Sequence, residues 1–225
     1  MTLISPIEGH RLWAPAYDSG PNPLLALEAR LLAPLLGPVT GLRVVDLACG
    51  TGRWTERLTE LGARVVGIDL CDAMLIRAAA KPVLAGRLAL ADASALPLRS
   101  ESSSLTICSF AIGYFPVLED AFEEMARITR RGGTVVICDL HPSAAAAGWD
   151  RSFRAAGTVY HLQHFTRSRE QVCAEVRQAG LQTELLVDGH FGEPERSIFQ
   201  AAGKERIFAE VAAVPAVWIG IWKRP

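Results

Sequence analysis

The stretch Val44-Val45-Asp46-Leu47-Ala48-Cys49-Gly50-Thr51-Gly52-Arg53-Trp54 decides the fold. A short apolar run of the kind that makes a buried parallel strand closes on the acid Asp46, and two glycines follow. Trp54, Leu58 and Leu61 then recur at i, i+4, i+7, the period of an amphipathic helix. Such a strand–turn–helix unit lets a ligand approach the backbone closely and meet the free N–H groups at the helix start. The order of acid and glycines narrows the ligand. A dinucleotide turn, G-x-G-x-x-G/A, needs a small third residue to pack helix on strand. Here Thr55 takes that place, and Asp46 sits inside the motif, four residues before Gly50.

Working outward, 225 residues suit one domain, 1–225, with a sizeable core. Half the residues are hydrophobic and the formal net charge is −1, which argues against a surface built for nucleic acid. The basic residues are 20 Arg and 3 Lys, scattered rather than clustered. No basic segment precedes an apolar one at the start and no apolar run approaches the ~18 residues of a membrane span. The expectation is a soluble, cytoplasmic protein. The five cysteines (49, 71, 108, 138, 173) are odd in number and lack C-x-x-C spacing. With Cys108 and Cys138 inside predicted strands, buried free thiols are expected rather than disulfides or zinc ligands.

Residues 1–21 show aromatics among prolines and glycines with no clean period, and residues 1–36 as a whole are expected to form an N-terminal lid and helix. Asn22-Pro23 reads as an N-cap and first helical residue, and Leu24, Leu27, Leu31 and Leu35 carry the apolar face. Strands are predicted near 42–47, 64–69, 88–92, 105–110, 134–139, 158–162, 182–187 and 217–222. Helices are predicted to Leu61, from a cap at Asp72 to about Ala80, and near 117–129 and 168–179. Apolar strands alternating with helices give a doubly wound, mostly parallel α/β sheet. Insertions at 140–164 and 189–203, rich in aromatics, are expected to form a cap over a small substrate.

The Asp46–Gly52 motif resembles the first motif of the class I S-adenosylmethionine-dependent methyltransferases, written acid-x-Gly-x-Gly-x-Gly. Ala48 stands where the first glycine usually is, and is tolerable there if its φ stays negative. The resemblance covers residues 42–139, is of the UbiE/type 11 kind, and implies a Rossmann-like sheet of seven strands. It also implies S-adenosyl-L-methionine as cofactor and S-adenosyl-L-homocysteine as product. In a doubly wound sheet the ligand lies beyond the carboxyl ends of the strands. Asp69, with Leu70 beside it, closes the next strand and suits the ribose hydroxyls, while Asp92 and Ala93 close the third and, by resemblance, meet the adenine. With Asp46, Ala48, Gly50 and Gly52, three acids thus end three successive strands. Ser109 and Tyr114 follow the fourth strand where the family's methionine-binding residues lie. Tyr17 is similar to a tyrosine that closes over the methionine end.

Methyl transfer needs alignment of a nucleophile and exclusion of water more than covalent help. A hydroxyl or thiol acceptor also needs a base, and histidine is the usual supplier. Of His10, His141, His161, His164 and His190, the residue after the fifth strand, His141, is the first candidate. His164 is the second, with Tyr160 beside it. A metal site of His141, His161 and His164 is set aside, since alternation puts 161 and 164 on opposite strand faces. The expected function is methyl transfer to a small-molecule acceptor at O, S, N or C. The alternatives are a non-catalytic S-adenosylmethionine or nucleotide-binding protein on the same fold, and a nicotinamide-dependent oxidoreductase. The absence of an Asn/Asp-Pro-Pro-aromatic motif at Ser109-Phe110-Ala111-Ile112 counts against a nucleic-acid acceptor. Oligomeric state is not readable.

Overall fold

A computed structural model describes residues 2–225. The chain begins with β1 (Thr2–Ile4), α1 (Pro6–Trp13) and α2 (Pro23–Leu35). The parallel part follows: β2 (Arg43–Leu47), α3 (Arg53–Glu60), β3 (Arg64–Asp69), α4 (Asp72–Ala79), β4 (Leu88–Leu90), β5 (Ser103–Ser109), α5 (Glu119–Ile128) and β6 (Thr129–Leu140). Then come α6 (Pro142–Ala146), β7 (Ser152–Ala155), β8 (Thr158–Leu162), α7 (Arg169–Gln178), β9 (Gln182–Gly189), α8 (Glu193–Ala201), α9 (Phe208–Ala212) and β10 (Val217–Lys223).

Seven strands form one sheet in the order β4-β3-β2-β5-β6-β10-β9. All run parallel except β10, which lies antiparallel to both neighbours, with Ile219 opposite Cys138 and Val187. The chain moves outward from β2 to β3 and β4, then returns to β5 on β2's other side. That reversal opens a crevice at the carboxyl ends of β2 and β5, where ligands of such sheets bind. Strand alternation feeds two cores. Val45, Leu47, Cys108, Val135, Ile137, Trp218 and Trp222 pack on one side with Phe122, Met125 and Val176. Val44, Ile107, Val136, Cys138, Ile219 and Ile221 pack on the other with Leu27, Leu32, Trp54 and Leu58. All five cysteines are buried and free.

Local signals set the helix starts. Asn22 Oδ1 accepts from the N–H groups of Leu24 (2.9 Å) and Leu25 (3.4 Å), a cap worth about 1 kcal/mol. Gly52 opens α3 at φ +81, where an added Cβ would lie 2.5 Å from Leu84. Asp72 is not a cap: Cys71 holds that position, and Asp72 sits in the first turn of α4, bonded to Arg11 at 2.9 Å. The irregular 1–21 is also corrected. Ser5 Oγ accepts from the Glu8 N–H at 3.3 Å and Pro6 takes the first helical place, so 6–13 is helical.

Over the crevice sits a second, three-stranded sheet, β1-β8-β7, with β1 parallel to β8 and β7 antiparallel to it. The two expected cap insertions part company here. Residues 149–152 line the cavity described below. The 189–203 segment does not: its Phe191 and Phe199 join the α2 side of the core, and Arg30 of α2 clamps the buried Glu195 at 2.7 Å. A short amphipathic helix buries its apolar face on whichever partner the topology supplies, and β9 delivers α8 to α2.

Candidate active site

Beyond the carboxyl ends of β2, β3, β4 and β5 lies a cavity of about 720 Å³, within the ~300–1,000 Å³ of small-molecule sites. Of the residues expected from the sequence, Tyr17, Ala48, Gly50, Asp69, Leu70, Asp92, Ala93, Ser109 and Tyr114 all line it.

Asp69 is central. Its Oδ2 accepts from the Gly50 N–H at 2.7 Å and its Oδ1 from the Cys71 N–H at 2.7 Å. Burial raises its pKa above the ordinary carboxylate value, against the pull of these N–H groups. Each oxygen accepts one N–H bond and has capacity for another, and Leu70 beside it is a half-exposed apolar wall. Asp92 is exposed, and its Oδ1 takes both the N–H (2.9 Å) and the hydroxyl (2.8 Å) of Ser94.

Asp46 and Gly52, expected at the ligand, do not line the cavity. Asp46 is sealed beneath the turn and accepts the Thr55 hydroxyl at 2.6 Å. Burial pushes its pKa up to about 7. Thr55, which breaks the dinucleotide pattern, is thus the partner that holds this acid. Ala48 also departs from expectation. Its φ is +55, in the left-handed region, because the chain must turn sharply between β2 and Gly50.

The wall beyond β5 is polar at its base and aromatic above. Glu28 of α2, fully buried, accepts from Trp54 Nε1 (2.7 Å), Arg53 Nη1 (2.8 Å) and the Ser109 hydroxyl (2.7 Å). Tyr114 lies under the Arg151 guanidinium at 4.7 Å, and Arg151 is bonded to the buried Asp139. Burial raises the pKa of Tyr114 and pushes that of Tyr17 up to about 12, so both phenols are neutral near pH 7. Trp13 stacks on Phe153 at 4.9 Å and meets Tyr17 at 4.7 Å.

Comparison with known proteins bears on the fold that carries this cavity. Residues 45–137 match the family model of a methyltransferase domain. Over that segment the chain is similar to a methyltransferase domain. It is 33% identical over 127 residues to the malonyl-[acyl-carrier protein] O-methyltransferase of Yersinia pestis, covering 56% of this chain and 47% of the relative. It is 37% identical over 107 residues to the demethylmenaquinone methyltransferase of Mycolicibacterium paratuberculosis, covering 47% and 44%. The match thus spans less than half the length of these curated relatives. An S-adenosylmethionine-dependent methyltransferase from Mesorhizobium loti superposes with a TM-score of 0.71 at 24% identity, over 90% of this chain and 100% of that one, which shows the shared fold. The class I resemblance therefore holds for the fold. Neither the oxidoreductase nor the non-catalytic alternative finds support among these relatives.

The histidines and the tyrosine expected to act on the acceptor lie away from this cavity. His141, Tyr160 and His164 are all absent from the main cavity's lining. His141 caps α6: its Nδ1 accepts from the Ser143 N–H at 3.0 Å, and its Nε2 lies 3.4 Å from Asp188. Burial lowers its pKa. Tyr160 stacks on Phe153 at 5.4 Å, and His164 Nδ1 donates to the Leu162 carbonyl at 2.9 Å beside a separate small cavity. His161 and His164 do approach one carboxylate, Asp150, because β8 ends at Leu162 and the chain bends. Among the described residues, no group of three or more His, Cys, Asp or Glu side chains is placed to hold a metal ion, and no helix is long and apolar enough to cross a membrane.

His10 is the histidine that lines the cavity. Sequence reasoning also missed Glu28 and Arg151. A signal existed for Glu28: an acid on the apolar Leu24-Leu27-Leu31 face of α2 needs a buried partner.

Proposed function

We propose that the chain transfers a methyl group from S-adenosylmethionine to a small-molecule acceptor held between the glycine turn and the aromatic roof. The supporting observation is a single cavity that joins Gly50, Asp69 and Asp92 at one end to Trp13, Tyr17, Tyr114 and Trp149 at the other. The residues suit the cofactor. Asp69 retains lone pairs for ribose hydroxyls, Leu70 offers an apolar face to a flat heterocycle, and Asp92 stands where an exocyclic amine can be met.

When bound, the cofactor supplies an already activated methyl group. The chain's own work is then to bind and align. Asp69 fixes both the turn and the ribose end, while Glu28 holds Arg53 and Ser109 at the far side of the turn. The segment from Pro6 to Leu25 and residues 149–152 cover the cavity and exclude water, which would otherwise compete as nucleophile. The two curated relatives carry names for an O-methylation of a carrier-bound malonyl group and a methylation of demethylmenaquinone. The aromatic roof here favours an apolar, ring-bearing acceptor over a nucleic acid.

Calorimetry with S-adenosylhomocysteine and with NADH tests the cofactor. We expect binding of the first only, followed by label transfer from methyl-labelled cofactor in an acceptor screen read by mass spectrometry. Tight NADH binding without S-adenosylhomocysteine binding would overturn the proposal.

A further inference from the structure

We infer that the site takes an aromatic acceptor bearing an O–H group, a phenol or enol, and that His10 Nε2 receives its proton as the methyl group is transferred. The inference rests on the methyl-transfer proposal above and adds the acceptor class and the base.

The tautomer of His10 is fixed by its partner. Nδ1 lies 2.8 Å from the Pro6 carbonyl, one turn back in α1. A carbonyl only accepts, so Nδ1 carries the hydrogen and Nε2 carries the lone pair. Among the described residues nothing hydrogen-bonds to Nε2, and the ring lines the cavity. It stands edge-on to Tyr114 at 5.0 Å and 89°, with Trp13 at 6.3 Å. An acceptor lone pair in an aromatic chamber calls for a flat ligand with one donor. Phenols, with a pKa near 10, lie much closer to the imidazole's range than aliphatic alcohols do, so the same base helps them more readily.

The electrostatics agree. Burial lowers the pKa of His10, the Pro6 carbonyl and Asp69 oppose the shift, and Arg151 reinforces it. From α4, Asp72 is held by Arg11, and Tyr17 and Tyr114 are neutral. The imidazole is therefore an unprotonated base at neutral pH. Arg151, fixed over the Tyr114 ring by Asp139, places positive charge at the same wall, where it favours the phenolate character that grows as the proton leaves.

The step balances. The acceptor oxygen forms the O–CH₃ bond as the S–CH₃ bond breaks, and the electron pair of that bond stays on sulfur, which becomes a neutral thioether. The O–H proton passes to Nε2. The Pro6 carbonyl holds the resulting imidazolium and the charge of Asp69 favours it; the proton returns to solvent when the product leaves.

The test compares wild type with His10→Gln on para-substituted phenols of graded acidity, using methyl-labelled cofactor, alongside calorimetry with S-adenosylhomocysteine. His10→Gln should bind S-adenosylhomocysteine like wild type and methylate weakly acidic phenols about 10²–10⁴-fold more slowly. It should be much less impaired with para-nitrophenol assayed above that phenol's own pKa, where it is already ionised in solution. Wild type should show an acid limb below pH ~6.5 that the variant lacks. His190→Gln, at an exposed loop, should match wild type. In the S-adenosylhomocysteine complex, para-fluorophenol should shift the Nε2 nitrogen resonance of His10 more than that of any other histidine. Equal turnover of all phenols by His10→Gln overturns the base. Methylation of anilines or thiophenols but of no phenol, or of none of the three with cofactor bound, overturns the acceptor class. Failure of wild type to bind S-adenosylhomocysteine instead overturns the methyl-transfer proposal itself.

Discussion

The Gly50 N–H donates to Asp69 Oδ2 at 2.7 Å, tying the glycine turn after β2 to the acid that closes β3. The second oxygen of the same carboxylate takes the Cys71 N–H, so one side chain sets two loops at the cavity floor. The residue placed to meet the ribose is thus also what shapes the site before any ligand arrives.

Asp69→Ala should therefore cost stability as well as affinity. It strips acceptors from two largely buried N–H groups, each worth about 1–3 kcal/mol when left unpaired. We expect ligand-free stability to fall by roughly 2–4 kcal/mol in urea unfolding, with weaker S-adenosylhomocysteine binding by calorimetry. An unchanged unfolding midpoint would mean that the turn holds its shape without Asp69.

Ala48 is a position where the sequence works against its own backbone. A non-glycine residue at left-handed φ costs about 1–2 kcal/mol. Glycine would relieve that but frees the unfolded chain by ~0.4–1 kcal/mol. Ala48→Gly should accordingly stabilise the protein by up to about 1 kcal/mol, read as a higher urea midpoint at constant slope. Ala48→Val, branched at Cβ, should destabilise it. A fall in midpoint for Ala48→Gly would show that the turn is not left-handed here. Phe110, at φ +55 on the same cavity rim, carries the same kind of strain, which gathers at functional sites.

Much of this architecture was legible because period and punctuation coincide. Val44–Asp46 and Thr134–Asp139 read as buried strands, and Gly50, Gly52 and Gly62 mark where the chain must turn. The acids at 69 and 92 were placed at the cavity because a strand's end fixes its position at the sheet edge. A side chain's direction is not fixed that way. His141 follows its strand at the expected edge, yet the helix begun by Pro142 recruits its imidazole as a cap. Asp46 is the penultimate residue of its strand, but Thr55, in the first turn of α3, draws it inward. The N-terminal helix escaped notice because prolines and aromatics obscured the Ser5-x-x-Glu8 start signal. Its place over α4, which brings His10 to the cavity, is a tertiary fact with no local trace. The same holds for α8, whose amphipathic pattern does not say that α2 is its partner.

Asp46 makes stability depend on pH in a direction opposite to that of a salt-bridged acid. Burial outweighs the Thr55 hydrogen bond and pushes its folded pKa to about 7, while in the unfolded chain it titrates near its model value of 3.8. Between these values the folded protein keeps a proton that the unfolded chain has released. Folded protein then binds more protons, so stability falls as pH rises through this window, at up to ~1.4 kcal/mol per pH unit, and the loss is complete above pH 7. Asp46→Asn keeps the shape and the acceptor for Thr55 but never ionises. His10 titrates in both proteins, and Asp69 does too, altered only through its charge coupling to Asp46. Urea unfolding at pH 5, 6, 7 and 8 should show wild type losing ground to Asp46→Asn up to about pH 7 and levelling off by pH 8. A constant difference across that range would mean that Asp46 is already ionised in the folded protein at pH 5, and that the turn above it rests on a buried charge rather than on a neutral carboxyl group.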